Sequence, residues 1–132
     1  MVSKVTYLGD LRTENLHVKS GQTYITDAPT DNNGKGEAFS PTDTVATGLA
    51  NCMLTVMGIK ARDLKIDMAG TTAEVTKLMA SHPRRISEIK IELSFTGEFD
   101  EKSRKILEKT ALTCPVYYSL HPDIKKDIRF KW

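Results

Sequence analysis

Grouped strands, one long apolar helix and a second, shorter helix predict an α+β domain spanning residues 1–132, with element order βββ-α-ββ-α-β. Three observations carry the prediction. The stretch 40–59 begins with a helix cap and is apolar around most of a helical circumference. Ile89, Ile91, Leu93 and Phe95 alternate strictly with Lys90, Glu92 and Ser94, the period of a half-buried strand. The remaining strand-like segments lie in groups before and after these elements instead of alternating with helices.

Residues 5–8 open as a strand, and 15–19 and 23–26 follow as two more, joined through Ser20, Gly21 and Gln22 as a hairpin turn. Residues 27–36 are dense in turn formers and predict a surface loop. Ser40 then offers a side-chain acceptor to the first helical amides, Pro41 suits the first helical position, and Asp43 completes an S-x-x-D capping pattern.

In the helix over 40–59, Val45, Leu49, Cys52, Val56 and Ile59 share one stripe and Ala46, Ala50, Met53 and Met57 a second. Only Thr44, Thr47, Asn51 and Thr55 form a polar strip, so the helix belongs in a core. Gly48 lowers helix propensity by about 1 kcal/mol against alanine, which predicts a close approach there.

Residues 64–79 read as extended, with Ile66/Met68 and Ala73/Val75 alternating about a bulge at Gly70. His82, Pro83, Arg84 and Arg85 turn the chain into the strand 88–97. Asp100 to Ser103 can cap a second helix whose stripe is Ile106, Leu107, Ala111 and Cys114, ended by Pro115. A short helical turn over 116–120, a break at His121-Pro122-Asp123 and a closing strand with Ile128, Phe130 and Trp132 complete the chain.

Composition narrows the function. With 39% apolar and 27% charged residues the chain can bury a core, and its net charge of +2 carries no basic block that would bind nucleic acid. No uninterrupted apolar run approaches the roughly eighteen residues of a membrane span, and the first residues lack the apolar middle of a signal peptide, so a cytoplasmic protein is expected. A reducing compartment disfavours a permanent disulfide between Cys52 and Cys114 but permits a transient catalytic one. The two cysteines and three histidines show no metal-binding spacing.

The capped helix leading from Ser40-Pro41-Thr42-Asp43 to Asn51-Cys52, and a second cysteine in Cys114-Pro115-Val116 after the second helix, resemble the OsmC/Ohr family of thiol-dependent hydroperoxide reductases and related stress proteins. The loop Gly34 to Phe39 and the turn Pro83-Arg84-Arg85-Ile86 are similar to one branch of it, so the resemblance covers nearly the whole chain. It implies two mainly antiparallel sheets wrapped around the central helix in an intertwined homodimer, with two active sites at the subunit interface. By position, Cys52 matches the peroxidatic cysteine, Cys114 the resolving cysteine, and Arg12 the arginine that activates the thiol. No cofactor or metal is implied; an external dithiol supplies electrons for reducing an organic hydroperoxide. Neither nucleic acid nor membrane is an implied partner.

One position departs from the pattern. Family members that reduce organic hydroperoxides carry a glutamate, paired with the arginine, where this chain has Thr42. Asp43 is adjacent but points about 100° further round the helix, and the residues leave open whether Asp43, Glu14 or Glu37 takes its place. Thr42, Asp43, His17 and Met53 are the candidate binding residues beside the catalytic set. His17, His82, His121 and the Tyr117-Tyr118 pair otherwise read as ordinary strand, turn and core residues.

Peroxide reduction needs a thiolate to attack oxygen, a cation to keep that sulfur ionised and steady the departing alkoxide, and a second thiol to resolve the sulfenic acid. Cys52, Arg12 and Cys114 supply those parts. The loss of the glutamate motivates a different reading as well, a non-enzymatic dimeric stress protein that binds a small apolar or thiol-containing ligand.

Overall fold

The computed structural model describes residues 1–132, which divide into two units, Met1–Val45 and Ala46–Trp132. The chain is α+β with one three-stranded sheet in each unit, in the predicted element order.

The first unit is an antiparallel meander of β1 (Ser3–Gly9), β2 (Arg12–His17) and β3 (Thr23–Asp27). Asp10 and Leu11 both take positive φ, 51° and 63°, the hairpin geometry whose twist matches the flanking strands, and the turn delivers Arg12 as the first residue of β2. At the other end the His17 amide donates to the Gln22 carbonyl and the Gly21 amide to the His17 carbonyl, both at 2.8 Å. This closes the expected hairpin.

After β3 the chain folds back on itself through a short 3-10 turn at Thr30–Asn32. The amides of Gly34 and Gly36 donate to the carbonyls of Pro29 and Ala28. A Cβ on Gly34 would lie 1.7 Å from the Ala28 carbonyl oxygen, so only glycine permits this closure. The closure returns Glu37 and Phe39 to Asp27, whose amide donates to the Phe39 carbonyl at 2.9 Å.

Helix α1 (Pro41–Asp63) starts with the predicted capping box. The Asp43 amide donates to Ser40 Oγ at 3.1 Å and the Ser40 amide to Asp43 Oδ2 at 2.9 Å.

In the second unit α1 contributes Ala46, Leu49, Ala50, Met53, Met57 and Ala61 to a core shared with Ile89, Ile91 and Leu93 of β5 (Arg85–Ser94) and Leu107 and Ala111 of α2 (Glu101–Ala111). β5 is the middle strand. It pairs antiparallel with β4 (Thr72–Ala80) and parallel with β6 (Lys125–Lys131), which returns after α2 and α3 (Pro115–Ser119). Its outward residues Glu88 and Glu92 pair with Lys125 and Lys131 of β6. Asp100 caps α2 by accepting from the Ser103 amide at 2.7 Å, and the Ser103 hydroxyl first, then this amide, hold its carboxyl below the usual range. Trp132 stacks on Phe95 and donates from Nε1 to Glu108 on α2 at 2.8 Å, tying the chain end to that helix.

Four expectations are corrected. Helix α1 runs four residues past Ile59, and the segment expected to be extended from residue 64 begins as its cap: the Ile66 amide donates to the Ala61 carbonyl and Lys65 sits at φ 56°. This is a Schellman closure with lysine where glycine would have announced it. Gly70, at φ 89°, lies in a turn before β4, and the irregularity in the ladder falls at Leu78/Met79. A Cβ on Gly48 would meet nothing within 4 Å, so no close approach within the chain explains that glycine. Finally, α1 is long and apolar enough by length and composition to cross a membrane, with a mean hydropathy of 1.2. Its packed Leu49, Met53 and Met57, each at 0% exposure, make it the core helix of the second unit.

Candidate active site

Two clusters contain the predicted catalytic residues. The first is the thiol pair of the second unit. Cys52 lies on α1, half-buried against the core, and Cys114 is wholly buried at the N-cap of α3. Pro115 creates that position: it cannot continue α2, and its fixed φ starts α3. The Tyr117 amide donates to Cys114 Sγ at 3.3 Å, and Cys52 packs against the core cluster that holds Cys114, near enough for the two thiols to influence each other. Both cysteines are free thiols. Burial pushes the Cys114 thiol up, the Tyr117 amide opposes it, and Cys52 adds to the rise. Cys114 is therefore protonated at neutral pH, with a less buried thiol packed against the same core.

The second cluster surrounds Arg12 in the first unit. Arg12 stands directly opposite Asp27 in the β2–β3 register. Its Nη2 donates to Asp27 Oδ2 at 3.0 Å and to Glu37 Oε2 at 3.1 Å. The two carboxylates differ in environment, since the Asp27 side chain is 1% exposed and that of Glu37 61%. The Glu37 amide donates to the same Asp27 oxygen at 3.1 Å, so the Gly34 closure fixes carboxylate and guanidinium together. Arg12 first, and then the Glu37 amide, hold the Asp27 carboxyl below the usual range, while the two carboxylates raise Arg12 further. Asp27 Oδ1 is buried without a hydrogen-bond partner, an arrangement that burial alone would penalise.

Among the three alternatives for holding Arg12, Glu37 is present, Glu14 is not among its ion pairs, and Asp43 closes the capping box. Asp27 was not among them. Thr42 Oγ1 lies 3.2 Å from Ser40 Oγ at the start of α1. His17 sits at the opposite end of β2 from Arg12, roughly 16 Å along the strand at 3.3 Å per residue, with Nδ1 2.6 Å from Ser20 Oγ. It does not join the arginine cluster. Met53, expected as a binding contact, is 0% exposed and part of the core.

The sequence profile of the OsmC-like protein family matches residues 34–129. The chain belongs to this family. A search of curated proteins finds no match. Among solved structures, a protein of Psychrobacter arcticus 273-4, provisionally described as an osmotic stress induced and detoxification response protein, is 62% identical over 98% of this chain and 95% of its own, with a TM-score of 0.96. An organic hydroperoxide resistance protein OsmC from Legionella pneumophila is 16% identical over 99% and 96% of the two chains, with a TM-score of 0.78. One from Elizabethkingia anophelis, with thiocyanate bound, is 15% identical over 99% and 96%, with a TM-score of 0.76. At that identity the last two establish that this OsmC-like protein shares their fold.

Proposed function

We propose that this OsmC-like protein is a cysteine-based, thiol-dependent peroxidase that reduces organic hydroperoxides and, more weakly, H2O2. The observation that carries the reading is the pair of free thiols on neighbouring elements of one unit, one half-buried on α1 against the core and one sealed in that core at the cap of α3. The names of the Legionella and Elizabethkingia proteins are consistent with it.

In this reading the Cys52 thiolate attacks the terminal oxygen of R–O–O–H. The O–O bond breaks, and the alkoxide leaves and is protonated to the alcohol, with Cys52 oxidised to sulfenic acid. Arg12, the family's activating arginine, keeps the sulfur ionised and steadies the departing oxygen. Cys114 then attacks the sulfenic sulfur, forming the disulfide and releasing water before further oxidation becomes irreversible. An external dithiol restores both thiols by disulfide exchange. The reaction requires no metal, haem, flavin or nicotinamide, and its reducing partner fits a cytoplasmic setting.

We also propose the homodimer that the resemblance implies. Ile59 on α1 is 58% exposed, and Val5, Tyr7 and Tyr24, on one face of the first sheet, are exposed by more than half. The bare space at Gly48 suits close approach of a partner helix.

The deciding experiment is peroxide consumption by the purified protein with dithiothreitol or dihydrolipoamide, comparing cumene hydroperoxide, tert-butyl hydroperoxide and H2O2. Catalytic turnover is expected. A single stoichiometric oxidation without turnover would instead support a non-enzymatic, ligand-binding stress protein. Sedimentation equilibrium checks the dimer.

A further inference from the structure

Resting on that reading, we propose that Asp27 is the positioning residue of the activating arginine, taking on β3 the part that a glutamate at position 42 plays elsewhere in the family. Two carboxylates touch Arg12 at nearly equal distance, but they cannot hold it equally. Glu37 is 61% exposed, so water and salt screen its pair and compete for both partners. Asp27 is 1% exposed, and its negative charge depends on the guanidinium. Taking Arg12 away would leave an uncompensated buried carboxylate, a far larger penalty than breaking a surface pair.

The surroundings fix Asp27 before they fix Arg12. Its oxygen accepts from the Glu37 backbone amide, its own amide donates to the Phe39 carbonyl, and it lies in register opposite Arg12. A carboxylate anchored by backbone on both sides sets the direction of a long, flexible side chain that is itself 29% exposed. The guanidinium can release Glu37 and turn about Asp27, so Glu37 is a dispensable second contact.

The test is single-turnover oxidation of the reduced protein by cumene hydroperoxide, followed as loss of the Cys52 thiol across pH. Wild type, Arg12→Met, Asp27→Asn, Glu37→Gln and the Asp27→Asn/Arg12→Met double variant are compared. Asp27→Asn is expected to slow oxidation about tenfold or more, Glu37→Gln by less than about threefold, and the double variant to be no slower than Arg12→Met alone. A merely structural Asp27 would make the two losses multiply, and that result overturns the proposal. So does Asp27→Asn at the wild-type rate while Arg12→Met is slow.

Arg12→Met at the wild-type rate would instead sink the arginine's role in the peroxidase reading itself. Should Asp27→Asn fail to fold, carboxyl 13C titration of Asp27 in wild type and Arg12→Met decides. Its midpoint should rise when Arg12 is lost, and an unmoved midpoint rules out the anchoring pair.

Discussion

Cys114, wholly buried at the N-cap of α3, belongs to the core cluster against which Cys52 packs half-buried from α1, and Cys52 helps raise its thiol. The packing places a protonated thiol, the proposed resolving one, near the candidate nucleophile before any peroxide arrives. Both cysteines lie in the second unit, so a disulfide between them requires no motion of one unit against the other.

Cys52→Ser should abolish peroxide reduction while leaving the fold intact, because oxygen replaces sulfur at nearly the same volume and only the nucleophile is lost. Circular dichroism and a coupled peroxide assay check both halves. Substantial residual turnover would move the chemistry to another residue.

Cys114→Ser should allow Cys52 to react once and then stall as sulfenic or more oxidised acid. Intact-mass measurement after peroxide treatment should show added oxygen on the variant and a loss of two hydrogens on the wild type. In the untreated wild type, burial raises the Cys114 thiol, so it stays protonated through neutral pH and its thiolate appears only above the ordinary thiol range. Iodoacetamide at neutral pH should therefore label Cys52 and spare Cys114. Preferential labelling of Cys114 would reverse the proposed order of roles.

Most of the fold was legible because its signals are local. The alternation of Ile89, Ile91 and Leu93, the Ser40-Pro41-Asp43 cap and the Asp100 cap each state their element within a few residues. The α1 terminus was missed because Lys65 takes the left-handed position that glycine usually marks. The arginine cluster was half legible. Reading the hairpin strands as beginning at 15 and ending at 26 stops just short of the Arg12–Asp27 pair. The observed turn is closed one step earlier, between His17 and Gln22, and that register, not the one a Ser20–Gln22 turn gives, brings the two residues opposite each other. Glu37's return depends on the Gly34 contact with Ala28, a tertiary closure with no periodic signal.

Met53 separates core from binding wall. With no exposed surface, Met53→Ala should cost about 2–5 kcal/mol of stability in urea unfolding, as large-to-small core changes do. The relative rates for cumene hydroperoxide and H2O2 should stay as they are. A change in peroxide preference with little loss of stability would return Met53 to the binding site.

Ser40→Ala removes the acceptor of the Asp43 amide at the start of α1 and should lower stability by about 0.5–2 kcal/mol. Ser40→Thr, which restores a hydroxyl, should recover most of it. Equal losses for both would mean that the buried volume at this position matters more than the cap.

Thr42→Glu tests where the family's pattern has been rearranged. If Arg12 lacked a partner, restoring a glutamate at position 42 would improve turnover of bulky organic peroxides. Arg12 already has two, Asp27 at 3.0 Å and Glu37 at 3.1 Å, so one positive charge stands between two negative ones. A third carboxylate within reach would meet net negative charge and would be repelled more than it is attracted. It would also draw the guanidinium away from the direction set by Asp27. We therefore expect Thr42→Glu to leave kcat/KM for cumene hydroperoxide unchanged or lower, and Thr42→Glu combined with Asp27→Asn to regain part of what Asp27→Asn loses. A rise of several-fold from Thr42→Glu alone would mean that the pairing of Arg12 with Asp27 and Glu37 does not persist during the reaction.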